Sequence, residues 1–282
     1  MSKEILVIGG TGNVGATLVQ ELVARGETVR VGTRRPEKVS VSGAKAVLVD
    51  LHKPETLGPA LEGVDRLFLL APTGEEDALR ILAPVVDEAA RRGVKVVLQT
   101  AGGIGADDSI PLRQVEIRLE KSGTTYVILR PNWFSDNFEN YWGHGVLAGE
   151  INVPAGDSKT SFIDTRDIAD AAAAALTSDK FDNQTFTLTG PEALSYADAA
   201  ALISKATGRT VTYRSVDDSV FIPALLSAGL SQGYAQLLAG IFYPVREGWA
   251  ADVTDAVETL TGKKPRTLAA YVAENKAKFI PA

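Results

Sequence analysis

Cysteine is absent from this chain of 282 residues, and histidine occurs only as His52 and His144. The first absence removes disulfides, thiolate metal sites and cysteine nucleophiles together. The second leaves too few imidazoles for a histidine-rich metal centre, so no metal site is expected. A chain without thiols suits a reducing cytoplasm, which is the expected location. Basic runs are missing too. The charge balance is −6, and lysine and arginine go no further than pairs such as Arg34-Arg35, Arg91-Arg92 and Lys263-Lys264. Nucleic acid requires a basic face, so no nucleic-acid partner is expected. No apolar run approaches the length of a membrane span, so no membrane partner is expected either. Met1-Ser2-Lys3-Glu4 runs straight into an apolar strand, without the longer apolar stretch and cleavage site of a signal peptide.

What is present is ordinary for a globular protein: 45% hydrophobic and 23% charged residues. The length suits one large domain with a modest appendage. Glu4 to Ile8 reads as a strand, Ala16 to Arg25 as a helix with apolar residues at Leu18, Leu22 and Val23, and Val29 to Gly32 as a second strand. The alternation continues. Strands are expected at Ala46–Asp50, Arg66–Leu70, Val94–Thr100 and Tyr126–Arg130. The intervening helices are expected at Pro54–Leu61, Glu76–Arg92 and Ile110–Lys121. Strands separated by single helices imply an α/β fold with a doubly wound parallel Rossmann sheet.

After Pro131 the rhythm changes. Helices are expected at Ala169–Thr177 and Tyr196–Thr207 with a strand at Gln184–Thr189 between them. From Ser219 to Ala277 the pattern is mostly helical, interrupted by Pro223, Pro244 and Pro265. Residues 1–150 are therefore assigned to a dinucleotide-binding Rossmann domain. Residues 151–282 are assigned to a mixed region that returns to the sheet and forms a smaller, mostly helical substrate-side lobe. That lobe is not expected to fold independently. It is expected over the carboxyl edge of the sheet.

The chemistry begins at Gly9-Gly10-Thr11-Gly12-Asn13-Val14-Gly15. In the spacing Gly9-x-x-Gly12-x-x-Gly15, the first glycine turns the chain sharply off a strand. The second lets the backbone approach a pyrophosphate, and the third lets the helix pack closely on the sheet. The helix N-terminus then presents free N–H groups and a positive dipole end to phosphate, with Thr11 and Asn13 as added donors. After the second strand an NAD site places Asp or Glu against the ribose hydroxyls. This chain has Thr33-Arg34-Arg35 there. Guanidinium binds phosphate in a bidentate way and stacks on adenine. Either Arg34 or Arg35 contacts the 2′-phosphate of NADP(H), or both arginines are solvated surface residues. The first reading makes NADP(H) the preferred cofactor over NAD(H).

Ligands of doubly wound sheets lie outside the carboxyl ends of the strands. That directs attention to Asp50 and Leu51 at the adenine, and to Leu70, Ala71, Pro72, Thr100, Ala101 and Gly102 at the ribose and nicotinamide. Pro131 and Asn132 follow the sixth strand. The aromatic run Trp133, Phe134, Phe138, Tyr141 and Trp142 forms either an apolar pocket for a flat aromatic substrate or the core under the C-terminal helices. His144 is a weaker candidate proton donor.

Several segments resemble the NmrA-like group of atypical short-chain dehydrogenase/reductases. They are the glycine turn, Arg34, Leu129-Arg130-Pro131-Asn132-Trp133-Phe134, Phe162-Ile163-Asp164-Thr165-Arg166-Asp167-Ile168-Ala169, and Val257-Glu258-x-Leu260-Thr261-Gly262. The resemblance spans essentially the whole chain. It is closest to the azo-dye, quinone and triphenylmethane-dye reductases of that group. It implies a Rossmann fold, NADP(H) binding and a small C-terminal substrate region. The chain departs from short-chain dehydrogenases in one respect. None of its seven tyrosines is followed four residues later by lysine, so the usual Tyr-x-x-x-Lys proton-transfer pair is missing and no catalytic residue is assigned. In the helix where that pair would sit, Leu112 stands where many relatives keep a lysine. Two functions remain open: a reductase of an electrophilic small aromatic acceptor that needs no dedicated acid, or a dinucleotide-binding redox sensor acting through a protein partner. Either is compatible with a homo-oligomer.

Each charge-assisted hydrogen bond is worth about 1.5–3 kcal/mol. Arg34→Ala is therefore expected to weaken NADPH binding roughly tenfold to a hundredfold in a fluorescence titration. If the parent protein binds NADH as tightly as NADPH, the assignment of the arginines fails.

Overall fold

The computed structural model describes residues 4–39 and 41–281. Met1, Ser2 and Lys3, which precede the first strand in the sequence reading, lie outside the described residues. The first half runs β1 (Glu4–Ile8), α1 (Asn13–Ala24), β2 (Thr28–Thr33), β3 (Ala44–Leu48), α2 (Leu57–Ala60), β4 (Val64–Leu70), α3 (Ala78–Arg92), β5 (Lys95–Gln99), α4 (Pro111–Glu120) and β6 (Tyr126–Pro131). It continues as α5 (Gly143–Ala148), β7 (Glu150–Val153), β8 (Lys159–Thr160), α6 (Thr165–Thr177), β9 (Gln184–Leu188), β10 (Leu194–Ser195), α7 (Tyr196–Thr207) and β11 (Thr212–Ser215). The last elements are α8 (Asp218–Ser227), α9 (Gln232–Gly240), α10 (Tyr243–Arg246), α11 (Ala256–Thr261) and α12 (Leu268–Glu274). Among the described residues no helix is long and apolar enough to cross a membrane.

Seven strands form one parallel sheet in the order β3-β2-β1-β4-β5-β6-β9. The order reverses direction between β1 and β4, where a doubly wound sheet has its switch point. Leu67, Phe68 and Leu69 of β4 and Val96, Val97 and Leu98 of β5 are all buried, as expected for strands covered on both faces. α3 shows how the helices dock. The Asp77 carboxylate caps it by accepting from the Arg80 N–H at 3.1 Å. Ala78, Ile81, Leu82, Val85, Val86 and Ala89 then form its buried stripe. Gly93, at φ +67°, ends it in the left-handed conformation.

Several element boundaries differ from the sequence reading. The third strand is Ala44–Leu48 and not Ala46–Asp50, because Asp50 turns the chain: its carboxylate accepts from the His52 N–H at 3.1 Å. The helix expected over Pro54–Leu61 is a tight turn, Pro54–Thr56, running into the short α2. Pro223 does not break the C-terminal helices but lies inside α8.

The chain divides into two compact units, and no single cut at residue 150 separates them. The first comprises residues 1–131, 166–187 and 256–262; the second comprises 132–165, 188–255 and 263–282. Returning the chain to the first unit is an electrostatic matter as well as an apolar one. Arg66 pairs with Asp179 at 2.9 Å, and Lys95 donates to the Ser178 carbonyl at 2.6 Å and pairs with Asp182. These bonds tie the segment between α6 and β9 to the starts of β4 and β5. Both cations are nearly buried, and breaking such a pair leaves an uncompensated charge.

The second unit has its own core. Phe138, Phe162, Tyr196, Phe242 and Phe279 are fully buried in it, beside Ile151, Val153 and Val245. Two small sheets flank this core: β7 pairs in parallel with β11, and β8 is antiparallel to β10. α7 carries a reciprocal capping box between Ser195 and Asp198 and ends at Gly208 with φ +73°. Phe138 packs its ring 5.1 Å from Phe162 and 5.3 Å from Trp142, centroid to centroid. Phe138→Ala is expected to cost about 3–5 kcal/mol of stability, read as a lower midpoint in urea denaturation. A midpoint within experimental error of the parent's would remove the residue from the core.

Candidate dinucleotide site

In a parallel sheet every strand's carboxyl end lies on one edge, so residues that follow the strands converge there. The first unit brings Gly9 after β1, Arg34 and Arg35 after β2, Asp50 and Leu51 after β3, Ala71 and Pro72 after β4, and Thr100 and Ala101 after β5 to that edge. Leu70 and Pro131 close β4 and β6. Asn132, Trp133, Phe134, Phe138, Tyr141 and Trp142 belong to the second unit.

The turn after β1 is constrained by contact. Gly9 has φ +84°, and its carbonyl accepts from the Gly12 N–H at 3.0 Å. A Cβ on Gly15 would lie 2.1 Å from that same oxygen. Only glycine lets α1 start so close to the strand. The helix accordingly begins at Asn13, inside the glycine motif and three residues before the position expected from apolar spacing. Val14 and Gly15 are buried while Thr11, Gly12 and Asn13 are exposed. No side chain caps the N-terminus of α1, and its first turn has no acidic residue. The leading N–H groups therefore have no intrahelical partner, which is what a bound anion requires.

Arg34 and Arg35 are exposed, and neither guanidinium has an ion-pair partner among the described residues. The Arg35 N–H donates to Thr33 Oγ1 at 3.2 Å, which shapes the bend after β2. Asp50 is engaged in its own turn, and Leu51 is buried beside Val49 and Leu57. The side chain of Leu70 fills the space 3.1 Å from where a Cβ on Gly9 would sit, so it packs against the turn.

Thr100 leads to a buried polar cluster that the sequence reading missed. Its hydroxyl donates to Glu116 Oε1 at 2.7 Å. Arg130 grips the same carboxylate with Nε at 2.9 Å and Nη2 at 2.6 Å, and Arg113 Nη1 adds a bond of 2.9 Å. Glu116 is 0% exposed. Burial pushes its carboxyl up, but the hydrogen bonds from Arg130, Thr100 and Arg113 outweigh burial and hold it below the usual carboxylate range. A signal was available in the sequence: Leu112, Val115, Glu116 and Leu119 follow helical core spacing, so one carboxylate interrupts an apolar stripe. α4 contains no tyrosine and no lysine, and Leu112 is packed against the core.

In the second unit, the Asn132 amide donates to Ser161 Oγ at 2.7 Å and to the Ala250 carbonyl at 2.8 Å, and its oxygen accepts from the Trp133 N–H at 2.9 Å. Asn132 thus anchors the start of this unit. Trp133 stacks 4.6 Å from Phe242 and 5.7 Å from Trp142. Phe134 and Trp142 are half-buried, and Tyr141 is 49% exposed with its hydroxyl 2.8 Å from that of Tyr234. His144 is exposed on α5. Tyr196, also missed, has a buried hydroxyl with no hydrogen-bond partner, and burial pushes its phenol well up.

A parallel sheet with this strand order, and a glycine turn feeding the N-terminus of α1, defines a Rossmann fold of the dinucleotide-binding type. The chain belongs to the NmrA-like family, whose sequence profile matches residues 1–272. It is 32% identical over 279 residues to the Prestalk A differentiation protein A of Dictyostelium discoideum, spanning 96% of this chain and 91% of that protein. It is 31% identical over 284 residues to the NAD(P)H azoreductase of Xenophilus azovorans, spanning 98% and 99% respectively. The NADPH complex of an NADPH-dependent quinone oxidoreductase from Escherichia coli superposes with a TM-score of 0.82 at 25% identity, covering 97% of this chain and 98% of that one.

Glu116 predicts an acid sensitivity. Its folded-state pKa is lowered relative to an unfolded value of about 4.3. The stability it contributes is therefore complete above that value and is lost as pH falls through the folded pKa. At pH 7 Glu116→Gln should destabilise by about 3–5 kcal/mol, since both arginines lose a buried partner. The difference between parent and variant in urea should narrow steadily on acidification below about pH 4. A difference independent of pH would mean that the carboxylate is not held ionised.

Proposed function

We propose that this NAD(P)H-binding oxidoreductase of the NmrA-like family uses NADPH to reduce a flat aromatic acceptor, a quinone or an azo compound. The reading includes direct hydride transfer without a tyrosine–lysine pair. The observation that carries it is the exposed, uncapped α1 N-terminus beside Gly15, together with the unpaired guanidinium groups of Arg34 and Arg35. The names of the azoreductase and quinone oxidoreductase relatives support the acceptor class.

In this reading Gly9, Gly12 and Gly15 shape the turn around the pyrophosphate, the leading N–H groups of α1 at Asn13, Val14 and Gly15 donate to it, and Thr11 and Asn13 add side-chain donors. Arg34 or Arg35 holds the 2′-phosphate. Asp50 and Leu51 border the adenine, and Leu70, Ala71, Pro72, Thr100, Ala101, Pro131 and Asn132 border the ribose and nicotinamide. NADPH, when bound, supplies a hydride. Trp133, Phe134, Tyr141 and Trp142 contact the acceptor, with Phe138 supporting them from the core. An electrophilic quinone or azo group needs positioning more than it needs an acid, and water delivers the proton. Asn132 and Thr100 are not proton donors in this scheme, because the Asn132 amide and the Thr100 hydroxyl donate to protein acceptors.

Steady-state NADPH oxidation against a panel of quinones and azo dyes tests the proposal. Turnover of at least one acceptor is expected, with kcat/KM at least tenfold higher for NADPH than for NADH. Tight NADPH binding with no turnover of any acceptor overturns the reductase reading in favour of a dinucleotide sensor.

A further inference from the structure

The bonding around Glu116 fixes the direction of the Thr100 hydroxyl. A carboxylate offers two lone-pair sites on each oxygen. Oε1 accepts from Thr100 and from Arg130 Nε, and Oε2 accepts from Arg130 Nη2 and Arg113 Nη1. All acceptor capacity is used, and no oxygen is left to carry a proton. Arginine does not release its own protons. The Thr100–Glu116 bond therefore has one direction: the threonine hydroxyl donates. A hydroxyl has a single proton, so Thr100 Oγ1 retains only lone pairs for any other partner.

The arrangement is built by the fold. The ladder between β5 and β6 continues past the strand ends, with the Thr100 N–H on the Leu129 carbonyl at 2.9 Å and the Gly102 N–H on the Pro131 carbonyl at 2.8 Å. That continuation brings Thr100 and Arg130 to the same level. Gly105 leaves room for the guanidinium, since a Cβ there would lie 2.7 Å from Arg130 Nη1. Arg113 is itself shared with Asp108 at 3.0 Å and Glu120 at 2.9 Å, so α4 is locked to the two strand ends through one carboxylate.

We propose that Glu116 is a positioning residue that fixes Thr100 as a hydrogen-bond acceptor, so that Thr100 Oγ1 recognises an N–H or O–H donor on the nicotinamide-ribose half of the dinucleotide. This rests on the dinucleotide reading above. Two donors have that chemistry: the carboxamide N–H of nicotinamide and a hydroxyl of its ribose. The same polarity prevents Thr100 from donating to a substrate oxygen, which agrees with a reaction that needs no acid from this side chain.

The experiment measures the Kd of NADP⁺ and of its 3-acetylpyridine analogue, which has no carboxamide N–H, for the full chain and three variants. Thr100→Val leaves all three arginine–carboxylate bonds in place and is expected to bind NADP⁺ about tenfold more weakly, the equivalent of one hydrogen bond. Thr100→Ser should bind like the parent. Glu116→Gln, shown by its thermal melt to be folded, should weaken NADP⁺ in the parent background but add little in the Thr100→Val background, because it acts through the hydroxyl. A carboxamide donor makes the analogue bind weakly to the parent and indifferently to Thr100→Val; a ribose donor makes both nucleotides lose equally. NADP⁺ affinity unchanged in Thr100→Val overturns the proposal whatever Glu116→Gln does, and equal losses from Glu116→Gln in both backgrounds reduce Glu116 to a structural role. A parent that binds neither nucleotide overturns the dinucleotide reading instead.

Discussion

The Gly9 carbonyl oxygen occupies the space, 2.1 Å away, where any side chain on Gly15 would begin. Around that approach the rest of the first unit is arranged. It sets where α1 starts, so it sets which N–H groups lie unpaired at the end of β1. It also brings Leu70 of the neighbouring strand against the turn. Because β1 and β4 are neighbours in the sheet but not in sequence, the turn lies at the switch point, where strand ends diverge and leave room for a ligand.

Buried charge secures the two edges of the sheet in different ways. At the amino ends, Arg66 and Lys95 hold the end of α6 and the segment that follows it through Asp179, Asp182 and the Leu176 and Ser178 carbonyls. At the carboxyl ends, Glu116 gathers Thr100, Arg113 and Arg130. Buried pairs of this kind contribute little net stability compared with apolar packing, but removing one partner is costly. Their effect is to set position. One network keeps a late segment of the chain in the first unit, and the other fixes the orientation of a hydroxyl at the candidate site.

This NmrA-like chain carries the glycine turn of a dinucleotide fold, and its sequence has no Tyr-x-x-x-Lys. In the proposed reading a quinone or azo acceptor relieves the site of the need for an acid, and the surroundings of three polar side chains agree with that reading. The Thr100 and Asn132 protons are committed to protein acceptors, and Tyr196 has its hydroxyl enclosed in an aromatic core. On that proposal binding and placement are the protein's contribution, with the aromatic side chains of the second unit as the means proposed for the acceptor.

Much was legible in the sequence because its signals are local. Strand runs such as Arg66–Leu70, the stripe of α3 and the spacing of Gly9, Gly12 and Gly15 each depend on neighbours within one element, and they determined the fold class and the position of the turn. Boundaries shifted where a side chain competed with the backbone, as when Asp50 turned the chain two residues after β3. The two-unit division was not legible, since residues 166–187 and 256–262 return by contacts between residues far apart in sequence, such as Arg66 with Asp179. The aromatic run stayed ambiguous for the same reason. An aromatic side chain serves core or pocket equally well, and only packing placed Phe138 inside while leaving Tyr141 half exposed. The sequence by itself determined that a glycine turn joins a strand to a helix and that arginines follow the second strand. Tertiary structure alone decided that Glu116 meets Thr100 and Arg130, because a buried carboxylate takes its state from donors that the chain brings to it only when folded.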